Sequence, residues 1–377
     1  MTRVEPIKFL FALPGFHLVE RGAEIALLSI AAELAKAGDE VTVIGSGPMK
    51  EGTPYRYLRA PAIRRERFEG ARTMPLLRDV TAFEEASFAP GLLRRYRPAS
   101  YDATFTCSYP FTNWVLRRPS LSKRPRHIFI TQNGDWPARS DDAEFRLFGC
   151  DGLVCTNPEY FEANRARWRA RLIPNGVDVA RFRAGRPDRV RFGIPADVPV
   201  VLMVSALIGS KRVDEGIRAI EGLKDVHLVC AGDGPLRVEI EALAARSLPD
   251  RFTRLVVNSS DMPALYRSAD AFLHLSKDES FGNVYVEALA SGLPIIAHDI
   301  PRVRWILGDG EHIVDTSDPT LVQGALQAAL QEGAGRSAER MERAASFSWT
   351  AIAERYREFA VEVIENAPRH ADDRKGV

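Results

Sequence analysis

Twice along this chain, short apolar runs alternate with longer stretches of helical period, and that alternation restricts the fold more than any other feature. In the first half the apolar runs fall at 8–13, 40–45, 104–107, 128–131 and 152–156. An amphipathic helix is expected over 23–37, stopped at Gly38, and another from Pro158. Strands that are apolar throughout and separated by helices are those of a parallel sheet covered on both faces. The turn Pro174-Asn175-Gly176-Val177-Asp178 closes this series, and the polar stretch 180–199 reads as a linker. A second series then begins, with strands at 200–205, 227–231, 271–275 and 294–298 and helices at 213–223 and 236–245. Helices at 321–332, 338–345 and 350–365 end it. Residues 50–100, rich in Pro and Arg, read as loops and short helices.

The pattern predicts an α/β protein of two Rossmann-like, doubly wound domains facing a central cleft. The expected divisions are 1–180, 181–350, a helix at 351–366 packing back on the first domain, and a disordered tail at 367–377. A length of 377 residues is too great for one compact core. Composition is that of a soluble globular protein, and no apolar run reaches the roughly 20 residues that span a bilayer. The start of the chain reads as a first strand, not a secretory signal. Cys107, Cys150, Cys155 and Cys230 lack metal-type spacing and read as core thiols of a reducing cytoplasm.

Charge is unevenly spread. Residues 1–185 hold 28 Lys/Arg against 21 Asp/Glu, the remainder 23 against 29. The basic excess gathers in Arg64-Arg65-Glu66-Arg67, Arg94-Arg95-Tyr96-Arg97, and Arg117-Arg118 with Lys123-Arg124-Pro125-Arg126. A row at Arg165, Arg167, Arg169 and Arg171 is expected on a helix. These read as a solvated surface or as a face toward an anionic acceptor or the inner face of a membrane. No recognition motif for nucleic acid accompanies them.

The chemistry concentrates at 278–294, Asp-Glu-Ser-Phe-Gly-Asn-Val-Tyr-Val-Glu-Ala-Leu-Ala-Ser-Gly-Leu-Pro. It follows an apolar strand, so Glu279 lies on the loop at the strand's carboxyl end and Glu287 one to two turns into the next helix. Ligands bind at that edge of an open α/β sheet, and a helix start offers N–H groups to an anion. Two acceptors flanking an anion-binding turn suit a ligand with both hydroxyls and phosphates, such as a sugar nucleotide.

Five segments in order, Pro174-Asn175-Gly176-Val177-Asp178, Lys211, Gly232-Asp233-Gly234-Pro235, Asp261 to Asp270, and Glu279 to Glu287, make the chain resemble retaining glycosyltransferases of the GT-B fold, family 4 type. The resemblance implies that the second domain binds a nucleoside-diphosphate sugar and the first an acceptor. It assigns Glu287 to the ribose hydroxyls and Glu279 to the transferred sugar. Ser280, Phe281, Gly282 and Asn283 fall to sugar hydroxyls or the β-phosphate, with Gly232 and Gly22 lining the donor, and Lys211 to the departing diphosphate. The family's usual arginine five residues before that lysine is Ala206 here, so Arg212 or Arg21 is expected to replace it. The usual glycine pair before the first helix is Arg21-Gly22. On the acceptor side the candidates are His17, Tyr109, Gln132, Asn133, Asp135 and Trp136, groups that pair with sugar hydroxyls or stack on a sugar face. The histidine many relatives carry near Gln132 is absent.

The expected activity is a cytoplasmic, retaining, front-face hexosyl transfer from a UDP- or GDP-linked sugar to a glycan, lipid-linked or secondary-metabolite hydroxyl. No cofactor is expected, and no Asp-x-Asp suggests a metal. The rivals are a sugar-nucleotide epimerase or hydrolase and a non-catalytic nucleotide- or glycan-binding paralogue.

Overall fold

The computed structural model describes residues 5–120 and 124–366. The tail expected at 367–377, and Lys123 of the basic cluster, lie outside them. The described chain divides into two compact units. One is drawn from residues up to 175 together with those from 349 onward, the other from 176–348.

The first unit is a seven-stranded parallel sheet. Its strands are β1 (Lys8–Ala12), β2 (Glu40–Gly45), β3 (Arg56–Arg59), β4 (Ala103–Thr106), β5 (Arg126–Ile130), β6 (Gly152–Cys155) and β7 (Ala170–Leu172), in spatial order β3-β2-β1-β4-β5-β6-β7. Phe9, Leu10 and Phe11 are all fully buried although successive side chains face opposite ways, because helices cover both faces of β1. Helix Gly22–Lys36 and the last helix, Trp349–Glu365, share one core with that sheet, the latter through Ile352, Tyr356, Phe359 and Val363. Gly152 lets this helix approach, since a Cβ there would lie 2.8 Å from Val363 Cγ2.

The second unit is a six-stranded parallel sheet of β8 (Val200–Val204), β9 (His227–Ala231), β10 (Phe252–Leu255), β11 (Ala271–His274), β12 (Ile295–His298) and β13 (His312–Val314), in order β10-β9-β8-β11-β12-β13. Because all neighbours run parallel, the loops after β8, β9 and β11 emerge at one edge.

Three local expectations are corrected. Residues 50–100 contain an edge strand, β3, and a 16-residue helix, Val80–Arg95, started by Asp79 accepting from the Ala82 N–H at 2.8 Å. Pro90 and Gly91 hide that helix in the sequence, yet Gly91 is a contact surface, where a Cβ would meet Ala60 Cβ at 3.2 Å. The stretch 180–199 is no free linker. Arg189 fastens it, donating to Asp270 Oδ2 at 2.6 Å and to the Ala196 and Val198 carbonyls at 2.8 and 2.9 Å. The arginine row is not helical, for the helix Pro158–Asn164 ends before it and Arg171 lies in β7, as an every-second-residue spacing favours. Arg171 pairs with Glu362 of the last helix. Among the described residues no helix is long and apolar enough to cross a membrane.

Candidate functional site

In the second unit, β11 ends at His274 and an irregular loop leads to helix Asn283–Ala290. Gly282 caps that helix at φ 91°, a conformation that disfavours side chains, and a Cβ on it would lie 2.6 Å from the Tyr285 ring. Phe281 is buried against Trp305 and Phe347, so its side chain anchors the turn and only its main chain faces outward chemistry. Ser280 lies in the loop and Asn283 is the first helical residue, whose neighbours include N–H groups that a helix cannot itself satisfy.

Lys211 ends a single turn, Gly209–Lys211, that follows β8. Its Nζ donates to Glu279 Oε1, and His274 Nε2 lies 2.9 Å from the same oxygen. Burial alone pushes the Glu279 carboxyl up, but the hydrogen bonds and charges of His274 and Lys211 outweigh it and hold it at about 2. Glu279 is therefore a carboxylate at any physiological pH. Further along the helix, the Tyr266 hydroxyl donates to Glu287 Oε2 at 2.8 Å. Burial raises the Glu287 carboxyl above its ordinary range, against the pull of that hydrogen bond and of Arg181.

Two glycines bring the neighbouring loops together. A Cβ on Gly232 would overlap the Ser205 carbonyl oxygen, and one on Gly234 would lie 2.6 Å from Leu207 O. The loops after β8 and β9 are thus in main-chain contact, with the Leu207 N–H donating to Asp233 O at 2.9 Å. Gly232 serves this close approach.

Arg212 does not join Lys211. It adopts φ 53° and spends its guanidinium on Glu215 Oε1 at 2.7 Å, Leu275 O at 2.8 Å, and Thr316 Oγ1 and O at 2.5 and 2.7 Å. It ties the loops after β11 and β13 to the start of helix Val213–Glu221. These are the partners of the guanidinium that was expected to replace the arginine missing at Ala206.

In the first unit, Arg21 precedes helix Gly22–Lys36 and lies 3.9 Å from Glu24 and 3.8 Å from Glu66. Glu24 is buried beneath Gly15, and burial raises its carboxyl. His17 stacks on Tyr57 at 4.1 Å, with Nδ1 3.1 Å from Pro48 O and Nε2 2.9 Å from Tyr55 Oη. Both ring nitrogens are engaged within the unit. The Gln132 and Asn175 side-chain amides pair with each other, Asn175 Nδ2 donating at 3.0 Å. Asp135 is buried and accepts from Asn164 Nδ2 at 2.9 Å. Tyr109 donates to Glu144 O at 2.6 Å inside an aromatic cluster with Phe145 and Phe148. Of the six acceptor-side candidates, Asn133 and Trp136 remain exposed and the other four are internal fasteners.

The residues the sequence reading passed over are His274, Tyr266 and Glu85. His274 is hidden in an apolar run, and Tyr266 lies in a recognised segment without an assigned role. Glu85, on helix Val80–Arg95, is 3% exposed, and its Oε2 has no hydrogen-bond partner. Burial lifts its carboxyl to about 8, against the Ser108 hydrogen bond.

Two parallel, helix-covered sheets in tandem are the architecture of the GT-B fold. Residues 186–346 match the model of the family described as Glycosyl transferases group 1. The lipopolysaccharide core biosynthesis glycosyltransferase LpsE of Rhizobium meliloti (strain 1021) is 29% identical over 54% of this chain and 60% of its own length. The chain thus spans about three fifths of that curated relative. Among solved structures, sucrose-phosphate synthase of Thermosynechococcus elongatus superposes with a TM-score of 0.76 at 19% identity, over 96% of this chain and all of its own. Anabaena Alr3699/HepE, in complex with UDP and glucose, gives 0.70 at 17%, over 94% of this chain and 100% of its own.

Proposed function

We propose that the protein is a retaining glycosyltransferase that moves a hexosyl group from a UDP- or GDP-linked sugar to a hydroxyl of a glycan, lipid-linked or secondary-metabolite acceptor. The observation that carries this reading is the Lys211–Glu279 pair at the carboxyl edge of the second sheet, beside a helix start and followed by Glu287. In this reading Glu287 accepts from the ribose hydroxyls and Glu279 from the hexose. The Lys211 ammonium moves onto the diphosphate, where its attraction grows as the leaving oxygen gains charge. The bond from the anomeric carbon to the diphosphate oxygen breaks as the acceptor oxygen bonds to the same face, and the acceptor's proton passes to the leaving phosphate. No divalent metal is invoked, since Lys211 and the helix N–H groups meet the diphosphate charge. The UDP and glucose held by HepE support the donor class. Exposed Arg94, Arg95 and Arg97 beside exposed Leu93 favour an acceptor at an anionic lipid surface.

Product formation from UDP-glucose and GDP-mannose with an acceptor panel tests this. Lys211→Ala and Glu287→Ala each cut transfer by about 100-fold or more, and EDTA leaves the wild-type rate unchanged. Wild-type rates in both variants refute the reading. Ala206 and the committed Arg212 favour one alternative, a nucleotide-binding paralogue without turnover, which binds UDP or GDP but forms no product with any acceptor.

A further inference from the structure

We infer that His274 is a positioning residue, one that keeps the Glu279 carboxylate aimed at the sugar once Lys211 has left it for the diphosphate. The inference rests on the donor assignment just proposed and concerns a residue outside it.

His274 is the last residue of β11, 2% exposed, and its Nε2 lies 2.9 Å from Glu279 Oε1. Lys211 donates to that same oxygen. Both donors converge on Oε1, so neither occupies Oε2, and the carboxylate is held by one edge with the other turned from both. The two donors differ in kind. Lysine is a compact charge on a four-carbon stem that follows whichever anion lies nearest. The imidazole is fixed. Its ring meets the Tyr285 ring edge-on at 5.1 Å and 89° and lies parallel to Phe272 at 6.2 Å. Tyr285 is itself fully buried and closes against Gly282, whose missing side chain leaves room for that ring. A continuous line of packed groups therefore runs from the capping glycine through Tyr285 and His274 to Glu279.

The consequence follows from what a diphosphate does to the cluster. Two phosphates compete with one carboxylate for the Lys211 ammonium, and the lysine stem is long enough to swing. Glu279 sits on a loop and would then rotate freely about its side-chain torsions. The tautomer with its proton on Nε2 donates to Oε1 and keeps Glu279 in place, with Oε2 available to a hexose hydroxyl. Holding a reacting group within a fraction of an ångström matters more to turnover than to nucleotide affinity.

The test compares His274→Leu and His274→Gln with wild type, using UDP-glucose or GDP-mannose, whichever the wild type turns over, and the matching free UDP or GDP. Leucine fills similar space without a donor, whereas glutamine presents an N–H at a reach like that of Nε2. His274→Leu lowers kcat with the nucleotide sugar by about 10- to 100-fold, the loss of one hydrogen bond to a charged group. It leaves the Kd of the free nucleoside diphosphate within about twofold. His274→Gln recovers most of the lost kcat. Wild-type kcat in His274→Leu overturns the inference while leaving the donor assignment standing. Equal losses in kcat and nucleoside-diphosphate affinity, unrescued by glutamine, also overturn it, since they mark damage to the fold. If the wild type binds neither nucleotide sugar, the donor assignment and this inference fall together.

Discussion

Replacing Tyr266 with Phe removes one oxygen atom and little else. The ring is fully buried between Phe182 and Phe272, each with its centroid 5.6 Å away, and it stays packed without its hydroxyl. What disappears is the 2.8 Å donation to Glu287 Oε2. A hydrogen bond to a charged group contributes about 1.5–3 kcal/mol. That bond also favours the ionised form of Glu287, and where its loss leaves the carboxyl about nine-tenths protonated a loss of about 1.4 kcal/mol, tenfold in nucleotide affinity, is expected. The loss depends on pH, and its sign is fixed by the structure. Burial already raises the Glu287 carboxyl, with Tyr266 pulling it back. Without Tyr266 the carboxyl rises further, and a larger fraction is protonated at any given pH. Protonation removes the acceptor that ribose requires, so Tyr266→Phe binds worst in acid and approaches wild type as pH rises. Calorimetric titration with UDP and GDP across that range reads the effect. Wild-type affinity throughout, or a loss that does not change with pH, refutes the assignment of Glu287.

Two further outcomes test the frame around the site. Gly232→Ala forces a methyl onto the Ser205 carbonyl and costs about 3 kcal/mol, because two main chains must separate; an unchanged thermal melt contradicts the close approach described. Glu85 is lifted by burial to about 8, so its proton stabilises the fold fully below the ordinary carboxylate range, and that contribution is lost as pH rises through about 8. Glu85→Gln removes this dependence. Its melting temperature lies near wild type in mild acid and above it near pH ~9, and parallel melting curves across that range refute the buried-acid reading.

Most of the fold is legible in the residues because its central strands are buried on both faces. Phe9 to Ala12, Val200 to Met203 and Leu228 to Cys230 have almost no exposed surface and form unbroken apolar runs. Edge strands have no such requirement. The Phe252–Leu255 strand is half-buried at every position, and Arg56–Arg59 begins and ends with exposed arginine, so neither stands out from a loop. The donor-side candidates are local, lying on one strand-loop-helix passage, Glu279 in the loop and Glu287 at the fifth residue of the helix. The acceptor-side candidates depend on partners far along the chain. Gln132 is paired with Asn175, Asp135 with Asn164, and His17 with Pro48 and Tyr55. Amides and carboxylates that look free in sequence are spent on these long-range fasteners. Arg212 likewise has partners that the sequence does not reveal, its carbonyl acceptors coming from loops 63 and 104 residues away.

The central claim is that an activated hexose docks on the second unit between Glu279 and Glu287. A crystal structure with bound UDP-glucose or GDP-mannose tests it most directly. The account predicts ribose hydroxyls on Glu287, hexose hydroxyls on Glu279 with His274 still in place behind it, and Lys211 turned onto the diphosphate. A nucleotide sugar bound elsewhere, with the Lys211–Glu279 pair intact, contradicts it.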